Sequence, residues 1–296
     1  MTVAVYLPLL LPVLVAWAAR RAADRARPRA AVPALVVAAV LTAAATVWSL
    51  LLLVLTLFDD LPSMEALDAR PGMHLPEPVP DWVAVLAAGA LTWVFVQLGY
   101  EVYRRVSTVR RLSHAGPAAG GVVVADWAEP LAVAVPGRPG EVLLTTGMLR
   151  VLTAAERDAV LAHERAHLAH RHHLAMLLIG AASAVNPLLR PARDAVGYLV
   201  ERWADEEAAT QVGDRDLVAR AVARAALATV APRPAPVLLG MHGGVIVRRV
   251  RALQGPAPAA SGRQLALPVA VVVACLALEW TATASFVRVL LTWLRS

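Results

Sequence analysis

Five histidines fall within eleven residues in the stretch LAHERAHLAHRHH (161–173): His163, His167, His170, His172 and His173. The first two flank Glu164 in the pattern His-Glu-x-x-His. On an α-helix, residues i and i+4 share a face. His163 and His167 would therefore point the same way, one turn apart, with Glu164 beside them. Two imidazoles so placed can bind one zinc ion while the carboxylate reaches a water molecule next to it. The bland alternative is an amphipathic helix carrying surface histidines. A catalytic zinc usually takes three protein ligands, so the pair needs a third.

His173 is one candidate, because it completes the histidine spacing of the metzincins. That motif requires glycine where this chain has His170, since glycine lets the helix stop and turn the third histidine inward. Without it the helix is expected to run on, which puts His173 about 80° off the His163 direction and about 15 Å along the axis. His170 shares the face but lies about 10 Å away. The other candidate is the acidic stretch LVERWADEEAA (199–209), which follows the break NPLLRP. Glu201 and Asp205 are i,i+4 neighbours on one helical face. Such a pair can serve as ligand and as the partner that orients a ligating histidine. Glu201 is preferred on facing, although another carboxylate of the stretch stays open, and Glu206 and Glu207 read as a solvated face.

The elements that must hold these residues are legible around them. Thr153 and Glu156 have capping-box spacing, which starts a helix expected to continue past the histidines without Gly or Pro until Gly180. Upstream, GVVVAD, LAVAVPG and EVLLTT are short β-branched runs punctuated by Pro and Gly, which predicts two or three strands. EVLLTT (141–146) is the candidate edge against which an extended substrate could pair, with a plain structural hairpin as the leading alternative. The run LAMLLIGAASAVNP (174–187) is short for a membrane span and reads as a buried core helix or a re-entrant piece.

Hydrophobic residues make up 58% of the 296 positions, and they are concentrated in blocks, as in a membrane protein. Four stretches reach the length of a span: 3–19, about 32–58, about 82–100 and about 265–286. Arginines follow the first (Arg20, Arg21, Arg25, Arg27, Arg29) and the third (Arg104, Arg105, Arg110, Arg111), and precede the fourth (Arg248, Arg249, Arg251, Arg263). The loop between the second and third is acidic, with Asp59, Asp60, Glu65, Asp68, Glu77 and Asp81 against Arg70. The positive-inside rule then places both termini outside and the segment from about 101 to 264 in the cytoplasm. The first stretch lacks a positive n-region, so it reads as a retained helix rather than a cleaved signal peptide. All basic side chains apart from histidine are arginines, and they sit beside apolar blocks rather than on a reading face, so no direct nucleic-acid partner is expected. The only cysteine, Cys275, lies in an apolar run, which excludes an intramolecular disulfide and a Cys-rich zinc site.

At LLTTGMLRVLTAAERDAVLAHERAHLAHRHH, then NPLLRP, then ERWADEEA, the chain resembles the gluzincin membrane peptidases. The resemblance is above all to the BlaR/MecR-type bacterial membrane metallopeptidases, with the HtpX and CAAX-prenyl protease family as a near relative. It implies zinc ligands at His163, His167 and Glu201, a general base at Glu164, and Asp205 orienting a ligand. It also implies a mainly α integral membrane protein of the bacterial cell membrane. Transmembrane helices 1–3 would lie in 1–100, a cytoplasmic gluzincin-like α+β protease domain in 101–264, and the fourth helix in 265–296. The expected function is zinc-dependent endoproteolysis of a cytoplasmic or membrane-associated protein, with a transcriptional repressor as the expected partner in regulated proteolysis. Membrane-protein quality control and a non-catalytic receptor or scaffold with a structural metal are the alternatives. With no lysine the chain cannot supply the Ser-x-x-Lys pair of a covalent β-lactam sensor. Oligomeric state is not written in the sequence, and Tyr198 and His242 are only candidates for an oxyanion donor.

Overall fold

Long runs of Ala, Val and Leu with few glycines favour helix over most of this chain. In the computed structural model, which describes residues 6–56, 80–112, 120–230, 236–256 and 266–294, helices dominate. Three come first, α1 (Leu7–Arg25), α2 (Pro28–Leu55) and α3 (Asp81–Leu112). Strands β1 (Val122–Ala125), β2 (Ala132–Val135) and β3 (Glu141–Thr145) follow. Then come α4 (Thr146–Val151), α5 (Ala154–Ala169), α6 (His172–Val185), α7 (Arg190–Val212), α8 (Arg215–Val230), α9 (Pro236–Gln254) and α10 (Ala266–Leu294).

The helices α1, α2, α3 and α10 occupy the four stretches expected to span a bilayer. Among the described residues, two segments, Pro28–Leu55 and Asp81–Thr108, are long and apolar enough to cross a membrane. The residues of 59–79 in the acidic loop lie outside the described residues, as do Arg263 and the side chain of His242. Cys275 is buried in the apolar core, in keeping with a packing role.

Of the apolar clusters among the described residues, the two largest position the site. One gathers α1, α2, α6, α10 and the first half of α7, around Val15, Leu35, Ile179, Val196 and Leu199. Small residues such as Ala31, Ala38 and Ala39 line it, which lets helix backbones approach closely. The other gathers β3, α4, α5, α8, α9 and the end of α7, around Met148, Val160, Ala208, Val218 and Leu253. Helix α7 thus contributes Leu199 and Val200 to one core and Ala208 and Ala209 to the other. Glu201 and Asp205 stand on the turns between those two anchors.

The sheet has the order β1-β3-β2, with β1 parallel and β2 antiparallel to β3. EVLLTT is therefore the central strand, not the edge for which its sequence made it a candidate. Its pattern explains the correction: Val142, Leu143 and Leu144 are all buried, as a strand paired on both sides should be. The edge nearest α5 is β2. Its neighbour loop is fixed by a close approach at Gly147, where a Cβ would fall 2.1 Å from the Ala128 carbonyl oxygen.

Helix α5 begins with the expected capping box. The Thr153 side chain accepts from the Glu156 amide, and Glu156 Oε2 accepts from the Thr153 amide at 2.9 Å. The Thr153 hydroxyl donates to the same oxygen at 2.8 Å, and Arg224 of α8 adds a third hydrogen bond to that carboxylate, also at 2.8 Å. Burial pushes the Glu156 carboxyl up, but the Thr153 amide and hydroxyl and then Arg224 outweigh it and hold its pKa below the ordinary 4.5. A depressed folded-state pKa means stability that is present above pH 4.5 and lost as pH falls through the folded value. Glu156→Ala is expected to cost about 1–3 kcal/mol near neutral pH. In unfolding curves taken at pH 7 and at decreasing pH, the variant's deficit should shrink in acid.

The helix does not run on to Gly180. It ends at Ala169 with His170 as its C-cap, Arg171 takes the left-handed conformation (φ 50°, ψ 42°), and α6 starts afresh at His172. A non-glycine residue held there costs about 1–2 kcal/mol, which tertiary packing must offset. What the break gains is burial of His172, only 2% exposed, against Trp203 of α7. The stretch 174–187 forms the rest of α6 and leads into a 3₁₀ turn (Pro187–Leu189), with Ile179 and Ala182 in the core.

Candidate metal centre

His163 and His167 extend from the last two turns of α5, and α7 brings Glu201 across to meet them. The two Nε2 atoms lie 3.1 Å apart. Glu201 Oε2 is 3.5 Å from His163 Nε2, and Oε1 is 3.7 Å from His167 Nε2. Among the described residues these three form the group whose ligand atoms, all within 4.8 Å of one another, could hold a metal ion. Bonds of about 2.0–2.1 Å at tetrahedral angles separate ligand atoms by about 3.3 Å. The observed distances bracket that value, and two imidazole nitrogens with one carboxylate oxygen are a donor set suited to a borderline-soft cation. The residues fit a metal ion.

His173 lines the adjoining cavity without joining the group. The helix break, not a continuous helix, separates it from the triad. His170 stacks on Trp203 with ring centroids 4.6 Å apart and lies 3.4 Å from Glu207. Glu206, expected to be solvated, instead pairs with Arg215.

The surroundings of each ligand are built. Asp205 is 1% exposed, and its Oδ1 lies 3.0 Å from His163 Nδ1, off the line of the ring N–H. Arg249 of α9 joins both acids: its Nη1 is 2.9 Å from Glu201, and its Nε and Nη2 donate to Asp205 at 2.8 and 2.7 Å. His172 Nδ1 lies 3.0 Å from His167 Nδ1. Sequence reading missed both residues. It took Arg249 as one of several charges flanking a helix and gave His172 no role at the metal. Only the fold, which returns α9 and the start of α6 to this point, distinguishes them from their neighbours.

Glu164 accepts a hydrogen bond from the Ala134 amide of β2 at 2.8 Å. Burial pushes its carboxyl up to about 7, with His163 pulling down and Glu201 adding to the rise. A carboxyl poised there can take and give a proton near neutral pH. Burial alone would lower His163, yet Asp205 and Glu201 carry it up to about 10. The same negative field that favours a proton on that ring favours a metal cation. Burial brings His167 down to about 4 and His172 to about 3, so both rings are neutral. Arg249 and His163 hold Glu201 ionised well below the usual carboxylate range, despite burial.

Two cavities meet at this centre, sharing Ala132, His163, Glu164 and Glu201. One of about 570 Å³ is lined by His167, His172, His173 and Met176. The other, about 250 Å³, is walled by Met148, Val160, Val218, Val222 and Ile246, with Arg249 also on its lining. Tyr198, considered as an oxyanion donor, lines neither; its ring is buried under the Arg248 guanidinium, 4.1 Å away.

Residues 117–189 match the model of peptidase family M48. The match spans the sheet and α4 to α6, with His163, Glu164 and His167 inside it, and supports a metallopeptidase; Glu201, Asp205 and Arg249 lie beyond it. No match was found among curated proteins or among solved structures.

Proposed function

We propose that this chain is a membrane-embedded zinc metalloendopeptidase that hydrolyses peptide bonds of a cytoplasmic or membrane-associated protein. The observation that carries this reading is the convergence of His163, His167 and Glu201, with the Glu164 carboxylate held beside them by the edge strand. A zinc ion held by those three side chains would supply a Lewis acid that polarises the scissile carbonyl and acidifies a water. Glu164 takes the proton of the attacking water on its carboxylate and passes it to the leaving amine. Asp205 orients His163, and Arg249 keeps the two carboxylates apart in role: Glu201 toward the cation, Asp205 toward the ring.

Strand β2 suits a polypeptide substrate. Leu131 O accepts from Thr145 N, and hydrogen-bonded pairs alternate along an antiparallel ladder. The peptide groups of Ala132 and Ala134 therefore face away from β3, toward the centre. Glu164 takes the Ala134 amide, which leaves the Ala132 amide and carbonyl directed at an extended chain laid along the edge. The smaller cavity, walled by Met148, Val160, Val218, Val222 and Ile246 away from the polar centre, suits an aliphatic side chain next to the scissile bond.

The membrane assignment is supported by Pro28–Leu55 and Asp81–Thr108, and by exposed Val85, Leu86, Phe95 and Val96 on α3. Within that assignment we place four spans, the protease part on the cytoplasmic side, both termini outside and 1–100, 101–264 and 265–296 as the three regions, on the distribution of arginines. The resemblance to BlaR/MecR-type proteins directs the reading to regulated proteolysis of a repressor or another signalling protein.

Zinc content of detergent-purified protein tests the centre. Wild type is expected to hold about one zinc per chain, Glu201→Ala to lose it and His173→Ala to keep it, measured by elemental analysis after gel filtration. Loss through His173→Ala with retention by Glu201→Ala would assign a different third ligand. No zinc in wild type would end the metallopeptidase reading.

A further inference from the structure

We infer that His172 is a positioning residue that fixes the tautomer of His167 and so keeps the latter's Nε2 lone pair facing the site, an inference that rests on the metal-binding reading above. The two rings meet edge to edge, Nδ1 to Nδ1 at 3.0 Å, with centroids 4.9 Å apart and planes at 84°. Two imidazole nitrogens at that distance share one proton, one ring donating and the other accepting. His167 can offer a lone pair at Nε2, toward His163 and Glu201, only when its own proton sits on Nδ1. His167 must then donate, and His172 must accept through Nδ1. The proton of a neutral His172 is thereby placed on Nε2.

That last atom is the telling one. His172 Nε2 is buried and, among the described residues, has no hydrogen-bonding partner. An orphaned buried N–H costs about 1–3 kcal/mol, and a leucine or phenylalanine would fill the same space without that cost. The ring is therefore explained by its other end, where an acceptor is needed. The opposite arrangement, His172 donating to His167, would move the His167 proton to Nε2 and turn an N–H on Glu201 and His163. It would close the ligand position.

The fold invests in this contact. Arg171 adopts the left-handed conformation that ends α5, and the new helix starts with His172 turned back against the ring five residues earlier. Trp203, 4.9 Å away between centroids, packs against the His172 ring from α7. The two ligating histidines are thus held by different chemistry: His163 has the Asp205 carboxylate beside its outer nitrogen, and His167 has a neutral ring. Outer partners of this kind fix the orientation of a ligating histidine and are worth about 10–100-fold in metal affinity.

The test is zinc affinity of the full-length detergent-solubilised chain, measured by competition with a chromophoric chelator, for wild type, His172→Leu and His172→Asn. Leucine fills the cavity but accepts nothing; the asparagine Oδ1 stands close to the position of the histidine Nδ1 and restores an acceptor. His172→Leu is expected to bind zinc about tenfold or more weakly, and His172→Asn to recover most of that loss. A purely structural ring would shift the melting temperature without separating the two variants in affinity. The inference is overturned if His172→Leu binds as tightly as wild type, or if His172→Asn binds tenfold or more weakly than wild type. The second criterion stands even if His172→Leu fails to fold. A wild type that binds no zinc overturns the metal reading itself, and the inference with it.

Discussion

A Glu164→Gln variant is expected to lose peptide hydrolysis by about 10²–10⁴-fold while retaining its zinc. Glutamine keeps the size of the side chain but cannot take a proton from water at its carbonyl oxygen, nor return one to an amine. It should also preserve the local structure, because that oxygen can still accept from the Ala134 amide that now binds Glu164 Oε2. Metal content should not fall, since the ligand atoms converging on the site belong to His163, His167 and Glu201. Hydrolysis of an unstructured protein such as casein, followed by product mass spectrometry alongside elemental analysis, separates the outcomes. Zinc retained with activity lost supports catalysis through Glu164. Zinc retained with hydrolysis undiminished would move the base elsewhere, and a wild type with zinc but no hydrolysis of any polypeptide would favour a structural metal.

The second large effect concerns stability. Arg249→Met is expected to destabilise the metal-free protein by about 3–5 kcal/mol, the usual consequence of removing one partner from a buried ion pair. Asp205 is 1% exposed and takes two hydrogen bonds from this guanidinium, and Glu201 touches the third nitrogen. Methionine leaves two acids one helical turn apart with His163 as the remaining cationic neighbour. Chelator-treated protein unfolded by denaturant in detergent should show the loss. Adding Asp205→Asn should return part of it, because the charge left unpaired is then gone. A loss below 1 kcal/mol, or no recovery in the double variant, would mean that water reaches Asp205 and that Arg249 is not what keeps it ionised.

The charge on Arg249 also shows why its role was illegible from sequence. Arg248, Arg249 and Arg251 stand together after an apolar stretch, which is how a membrane flank reads. Arg248 lies over the Tyr198 ring and pairs with Asp24 of α1. Its neighbour, about 100° further round the helix, faces the other way into the centre. Periodicity can separate such faces only when one knows what each side packs against.

His172 makes the same point from the opposite direction. A continuous helix was the correct local expectation for a stretch without Gly or Pro. Helix propensity differences of a few tenths of a kcal/mol per residue cannot foretell a left-handed Arg171, because the gain that offsets it comes from Trp203 on another helix. Strand order failed in the same way. β3 and β2 both read as β-branched runs, and which becomes the edge depends on β1 pairing parallel to β3 across a connection that covers β2 itself.

By itself the sequence determined the chemistry-bearing turn. Histidine at i and i+4 with glutamate between is a property of one helix, settled by helical pitch, and the capping box that starts this helix lies ten residues upstream of the first ligand. The facing of Glu201 and Asp205 followed from the same pitch. What the tertiary structure decided was everything that crosses between elements: that α7 spans two cores and carries Glu201 to the histidines, that α9 returns a counter-charge, that β2 supplies an amide to Glu164, and that a broken helix sets one histidine behind another. Spacing along a chain encodes only the geometry of the element it lies in. The distance between elements is set by the packing of their apolar faces, and many sequences of alanine, valine and leucine satisfy that packing equally well.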